Sequence, residues 1–213
     1  IVNSLVSVID TATGAQTGST LTLAGRADRP PLVSADGTRA LVANNAGTAV
    51  ILNTATGGQT GATFTLTGEP QDFQLLTADG SRVLITTVDG SDLTGFTTRA
   101  AVFDTASGGQ IGSTVTLRGA FSGSLLRADA GRALIVSYTR SPLLGTITSR
   151  VAVLNTTTGK QTGFTQTLSG EIFGADPLRA DGSRVVLTRR IWNPFTMSGA
   201  ARMTVINTST GWP

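Results

Sequence analysis

An all-β fold built from repeated four-stranded units is what this sequence predicts, and three observations predict it. The first is a recurring phrase: "VSVIDTATG" at 6–14 returns as "VILNTATGG", "AVFDTASGG" and "VAVLNTTTG", and again as "MTVINTSTG". Internal repetition at such a period marks a modular architecture and outranks other signals. The second is composition. Thr occurs 36 times and Gly 26 times while aromatics make up only 5%, so strand formers and turn formers dominate. The third is that each repeat divides into four strand-like runs of different character.

Three sets of markers hold the register. The glycine of the "[DN]-T-x-[TS]-G" turn stands at Gly14, Gly57, Gly108, Gly159 and Gly211, giving spacings of 43, 51, 51 and 52. The aspartate of the "AD" turn stands at Asp36, Asp79, Asp129 and Asp181, and a strand-ending glycine at Gly25, Gly68, Gly119 and Gly170. Within a repeat, run a is short and mixed ("FQLLTAD") and run b follows a "DG[ST]R" turn ("RVLITT"). Run c is almost continuously apolar ("VAVLN"), and run d alternates ("TLTL", "TFTL", "TVTL", with "TQTL" once). A continuous apolar run implies burial on both faces, and strict alternation implies one wet face. Four strands in about 40–50 residues, with buried middle strands, describe a blade of a β-propeller.

Labelled this way, the chain opens with c and d (1–25), gives complete sets at 26–68, 69–119 and 120–170, and closes with a, b and c (171–213). A four-bladed ring would then hold run c of one blade twice. The expectation is one propeller domain or segment, part of a ring of about six to eight blades. The chain starts at Ile1 and shows no signal-peptide pattern, so a removed or uncovered upstream segment is expected.

Composition also excludes functions. With no Cys and no His, thiolate chemistry, disulfides and imidazole catalysis are out. Net charge is +3 with a pI near 10.5, but the basic residues are dispersed along the chain, which argues against nucleic acid. No apolar run approaches the ~20 residues of a membrane helix.

The pattern "V-x-V-[IL]-[DN]-T-x-[TS]-G … ADG[ST]R-[AV]-L" resembles the YVTN-type β-propeller repeat of bacteria and the Thr-rich propeller repeats of secreted or surface proteins of high-GC bacteria. The nearest approach to the family's eponymous tetrapeptide is "LVANN" at 41–45. The resemblance implies a propeller, an extracytoplasmic location and a binding role.

Motif by motif, the conserved-looking turns read as structure. Asp10, Asn53, Asp104, Asn155 and Asn207 interchange Asp with Asn, as Asx turns permit. The arginines after the "AD" turn (Arg39, Arg82, Arg132, Arg184) read as partners of the turn aspartates. Quinone-cofactor and sialidase-type signatures are missing, and "DGSD" at 89–92 lacks the downstream glutamate of a calcium loop. No cofactor is expected and no metal ligand is assigned.

Divergence between repeats concentrates in the d–a connections ("GRADRP", "GEPQDF", "GAFSGS", "GEIFGA") and the b–c hairpins ("NNAG", "TTVDGSDLTGFTTR", "SYTRSPLLGTITSR", "RRIWNPFTMSGAAR"). Both connection types belong to one face of a propeller, and diversity on one face of a repeat scaffold is the pattern of a recognition surface. The candidate ligand-binding residues are Arg189, Arg190, Trp192, Phe195, Tyr138, Arg140 and Phe96, a set rich in interface-forming types. An alternative places the hairpin aromatics inside, packed on neighbouring blades. A second group, Asp28, Glu69, Asp72, Glu171 and Asp176, is expected around the channel mouth. The functions compatible with these residues are a non-catalytic scaffold for a protein or cell-envelope glycan, a metal-dependent lactonase-like hydrolase using those carboxylates, and a structural segment of a large surface protein.

Overall fold

The computed structural model describes residues 2–211 except 28, 46, 66, 127–130, 178–182, 194, 195 and 197, and of Leu125, Leu126 and Pro177 the backbone alone. Asp28, Phe195, Met197, Asp129 and Asp181 therefore lie outside the described residues or side chains. Among the described residues every regular element is a strand. In chain order they are β1 (Asn3–Ile9), β2 (Gln16–Ala24), β3 (Leu32–Val33), β4 (Arg39–Ala43), β5 (Thr48–Asn53), β6 (Gln59–Thr65), β7 (Glu69–Leu75), β8 (Arg82–Ser91), β9 (Gly95–Asp104), β10 (Gln110–Arg118), β11 (Ala120–Leu126), β12 (Arg132–Arg140), β13 (Ile147–Asn155), β14 (Lys160–Ser169), β15 (Glu171–Pro177), β16 (Arg184–Asn193) and β17 (Ser198–Asn207). They form five sheets in sequence order: β1-β2, β3-β4-β5-β6, β7-β8-β9-β10, β11-β12-β13-β14 and β15-β16-β17. Neighbours in the paired registers run antiparallel. The fold class is all-β, made of four-stranded propeller blades.

Two compact units are present: Ile1–Thr87 with Ala101–Ile111, and Val88–Ala100 with Gly112–Pro213. In the first, Leu41, Ile51, Phe64, Val83, Ala101 and Phe103 form a core between sheets. In the second, Leu134, Val151, Val153, Val185, Leu187 and Ile206 do the same. Middle strands are buried on both faces, as in β5 and β13, whereas β6 and β10 alternate. Strand β17 departs from this: Met203 and Val205 are exposed although their counterparts Val151 and Val153 are buried, because none of the described residues covers that face.

Two features of the sheets were not foreseen. The d–a connections are not loops. Strand β10 ends at Arg118 and β11 begins at Ala120, and β14 ends at Ser169 and β15 begins at Glu171, so a single glycine turns the chain. Gly119 manages this with φ +117°, where an added Cβ would lie 2.3 Å from the Tyr138 carbonyl oxygen; a side chain would be barred twice over. The residues read as connections are therefore the first half of strand a, except in "GRADRP", whose described residues lie outside a strand. The hairpin insertion, likewise, lengthens strands b and c into β-ribbons that end in short turns at 92–94 and 141–146.

The other feature is a second glycine, in "QTG" at Gly18, Gly61, Gly112 and Gly163. Strand d carries two extra residues there, since Val6 pairs with Leu21 but Val8 with Thr17, and the resulting bulge leans on the c–d turn of the next sheet. A Cβ on Gly18 would sit 2.2 Å from Thr56 O, one on Gly61 2.3 Å from Ala106 O, one on Gly112 2.3 Å from Thr158 O and one on Gly163 2.0 Å from Thr210 O. Sheets thus approach backbone to backbone wherever these glycines occur.

Candidate functional site

Within each sheet the two ends differ in kind. At one end lie the a–b and c–d turns. The Asx side chain accepts from the second and third residues after it, as Asn53 Oδ1 does from Ala55 N (2.9 Å) and Thr56 N (3.0 Å), and Asp104 Oδ1 does from Ala106 N and Ser107 N. The following threonine ties the two turns together: Thr54, Thr105, Thr156 and Thr208 donate their N–H to Thr38, Ser81, Gly131 and Ser183 carbonyls. Arg39 does not close an ion pair with Asp36. Its Nη1 donates to Thr105 Oγ1 of the next sheet at 2.5 Å, and Arg132 Nη1 donates to Ser209 Oγ at 2.6 Å. Among the described residues the ion pair within 4.0 Å is Arg99–Asp89. Arg39 and Arg132 are thus inter-sheet struts to hydroxyls.

The turn between β7 and β8 holds its acid ionised. The Thr77 hydroxyl, then the Ser81 N–H and hydroxyl, lower the Asp79 carboxyl to about 2. Ordinary unfolded aspartate titrates near ~3.9, so ionised Asp79 stabilises the fold above about pH 4, and this contribution is lost as pH falls toward 2. Asp79→Asn is expected to lower Tm at pH 7, with the difference from the parent protein narrowing between pH 4 and 2. A difference independent of pH would contradict this account.

The other end carries the ribbons and the one-glycine corners. One position of strand b is chemically different in every repeat yet performs one task there. Asn44 donates to Ala24 O, Thr87 Oγ1 to Thr67 O (2.7 Å), Ser137 Oγ to Arg118 O (3.0 Å) and Arg189 Nη1 to Ser169 O (2.7 Å). Each acceptor is the carbonyl just before the corner glycine. Arg189 is thereby engaged in the scaffold rather than offered outward. From strand c, Ser4, Thr98 and Ser149 hydroxyls bond the Gly25, Gly119 and Gly170 carbonyls. Sequence reading missed this position because Asn, Thr, Ser and Arg share no simple signature beyond a hydrogen-bond donor.

In the second unit the ribbon end encloses a groove of about 600 Å³. Its walls are the β8–β9 ribbon, with Asp92 and Phe96, and the β12–β13 ribbon, with Tyr138 and Arg140; Arg118 at the corner and Glu171 at the start of β15 complete it. Four of the residues singled out from sequence, Phe96, Tyr138, Arg140 and Glu171, are thus brought together, and Arg118 and Asp92 join them. The Phe96 carbonyl accepts the Gly119 N–H at 2.7 Å, pinning the first ribbon to the corner. Arg150 Nη1 bonds Arg118 O and Thr139 Oγ1, bracing the second. Leu93 and Leu143, near the two tips, are 98% and 93% exposed.

The β16–β17 ribbon makes a separate surface. Trp192 is 43% exposed, and the Arg190 guanidinium lies over the Phe173 ring, 5.5 Å from its centroid, a cation–π contact. The aromatics are accordingly neither sealed inside nor left wholly free: Phe96 and Tyr138 are half-buried and Trp192 is exposed.

Of the acids expected at a channel mouth, Asp28 lies outside the described residues and the other four are divided between the two units. In the first unit, Glu69 lines a smaller groove of about 380 Å³ with Arg29, Asn44 and Phe73, and Asp72 accepts from Gln74 Nε2 at 2.6 Å. In the second, Glu171 belongs to the groove above, while Asp176 pairs across the sheet with Val186. Asp176 is the sixth residue of β15, displaced toward the turn end because its supposed loop is a strand. Among the described residues no three His, Cys, Asp or Glu side chains gather to hold a metal ion.

Consecutive antiparallel four-stranded sheets, each leaning on the next through the same glycine contact, define a repeat propeller scaffold. No protein-family model and no curated protein matches the chain. Among solved structures the chain is similar to the β-propeller domain of Cps50 (Swd1) from Myceliophteria thermophila, with 11% identity and a TM-score of 0.46, over 92% of this chain and 64% of that one. It is also similar to the tricorn protease, with 11% identity and a TM-score of 0.47, over 97% of this chain and 26% of that one. It spans less than two thirds of either. Among the described residues no helix is long and apolar enough to cross a membrane.

Proposed function

We propose that the protein is a non-catalytic propeller scaffold of the bacterial YVTN-repeat kind that binds a protein or cell-envelope glycan through its ribbon end, outside the cytoplasm. The blades divide as 1–25, 26–68, 69–119, 120–170 and 171–213, and belong to one propeller domain or segment. The observation that carries this reading is the division of labour between the two sheet ends. Turn-end side chains are spent on each other, in Asx turns and arginine struts. At the ribbon end, Phe96, Tyr138, Arg140 and Glu171 converge on one groove, and large apolar side chains stand almost fully exposed at two tips. Grooves of roughly 300–1,000 Å³ with a few placed polar groups are the common form of ligand site.

A test is retention of the labelled protein on isolated bacterial cell envelopes. The Tyr138→Ala/Arg140→Ala double variant, and Arg140→Glu alone as a milder surface change, are expected to be retained at least about tenfold less than the parent, as loss of interface anchors implies. Thermal unfolding of each variant separates lost binding from lost folding. Equal retention of folded parent and variants would refute the reading.

A further inference from the structure

Resting on that reading, we infer that the groove between the β8–β9 and β12–β13 ribbons binds an acidic oligosaccharide, one carrying carboxylate groups on hydroxyl-rich sugar rings. The argument starts from unspent charge. Arg118, Arg140, Asp92 and Glu171, all exposed, line one groove, yet none of the four makes an ion pair within 4.0 Å among the described residues, where Arg99–Asp89 does. Nor does any of these four side chains hydrogen-bond to another described residue, in contrast to Arg150 beside them, whose guanidinium holds Arg118 O and Thr139 Oγ1. Two cations and two anions without protein partners in one concavity suit a ligand with complementary groups of both kinds.

Chemistry narrows the choice. Guanidinium recognises carboxylate through paired, charge-assisted hydrogen bonds. Carboxylates accept only, so Asp92 and Glu171 need donors, which sugar hydroxyls supply. An acidic peptide satisfies the arginines but brings a single amide N–H donor per residue to Asp92 and Glu171, where a sugar ring brings several hydroxyls. A neutral glycan satisfies the acids and leaves two guanidiniums without partners. A uronic-acid oligosaccharide satisfies both sets. Half-buried Phe96 and Tyr138 in the same walls provide ring faces, with an apolar body for the C–H side of a pyranose and, in tyrosine, a polar tip. The wall positions are firm, since the corner glycine fixes Phe96 through its carbonyl at 2.7 Å and Tyr138 pairs with Ser149 across the ribbon. A preformed groove avoids the ordering cost that weakens binding by flexible loops.

Three probes of matched length test the inference by titration calorimetry on the 213-residue protein: an oligogalacturonate, a neutral oligogalactose and an oligoglutamate. Saturable binding of the oligogalacturonate alone is expected, weakening as salt is raised. Arg140→Gln and Arg118→Gln should each weaken it by about tenfold or more, and Glu171→Gln should weaken it less. Arg202→Gln on β17, away from the groove, removes the same charge and should leave the affinity unchanged. Equal weakening by Arg202→Gln would show net charge at work rather than the groove. Binding of the neutral or peptide probe instead, or no binding of any, would overturn the inference. Envelope retention that still depends on Arg140 while the oligogalacturonate fails would leave the binding-face reading standing and remove only the ligand class.

Discussion

Gly57→Ala should cost about 3–5 kcal/mol of stability, among the largest effects of any single substitution here. Gly57 has φ +66°, and a Cβ on it would lie 1.8 Å from Thr17 O of the preceding sheet and 3.2 Å from Gly18 Cα. No side-chain rotation relieves a clash with backbone, so the two sheets must separate or the turn must unwind. The chain supplies its own control. Gly14 occupies the same turn of the first repeat with φ +71°, and nothing lies within 4 Å of where its Cβ would go. Gly14→Ala should cost only the conformational penalty of a left-handed residue, about 1 kcal/mol. Urea unfolding of the two variants compares them directly; equal losses would mean that the contact between sheets contributes nothing.

Phe64→Ala is expected to cost about 3–5 kcal/mol as well, by leaving a cavity in the core of the first unit. Phe64 is 1% exposed, and its ring packs on Phe103 with centroids 5.6 Å apart and planes tilted by 58°. Phe64→Leu keeps most of the apolar volume and should cost no more than about 1.5 kcal/mol. The corresponding positions hold Leu21, Val115 and Gln166. Gln166 is tolerated because its Nε2 donates to Gly211 O at 2.9 Å. A small loss for Phe64→Ala would show that the core of the first unit collapses around the missing ring.

Much of the scaffold was legible in the sequence. Continuous apolar runs marked β5 and β13, alternation marked β6 and β10, and the interchange of Asp with Asn identified the Asx turns. What escaped did so for physical reasons. Gly119 and Gly170 looked like the start of loops because a one-residue corner leaves no loop behind, so polar strand residues such as Asp72 and Asp176 were counted as connections. Gly18 and its counterparts are functional only in relation to a neighbouring sheet, and that relation has no local signature. Arg39 was assigned to the aspartate nearest in sequence, whereas its partner Thr105 belongs to the following repeat. Of the candidate site, Phe96, Tyr138, Arg140 and Glu171 could be suspected from divergence between repeats. Their convergence with Arg118 and Asp92 depends on ribbon length and on the tightness of the corner, which composition does not encode. Arg189 was nominated for the same reason as Arg140, and its bond to Ser169 O shows that an arginine in a divergent segment can still belong to the framework.

The shared task of Asn44, Thr87, Ser137 and Arg189 bears on how such a chain diversifies. Each ribbon is fastened to its corner through a main-chain carbonyl, an acceptor that every repeat offers whatever its side chains are. A ribbon moved from one repeat to another by design would therefore arrive with its own fastening and find a matching receiver. The fastening constrains one donor position per repeat and leaves the length and sequence of the ribbon beyond it unconstrained.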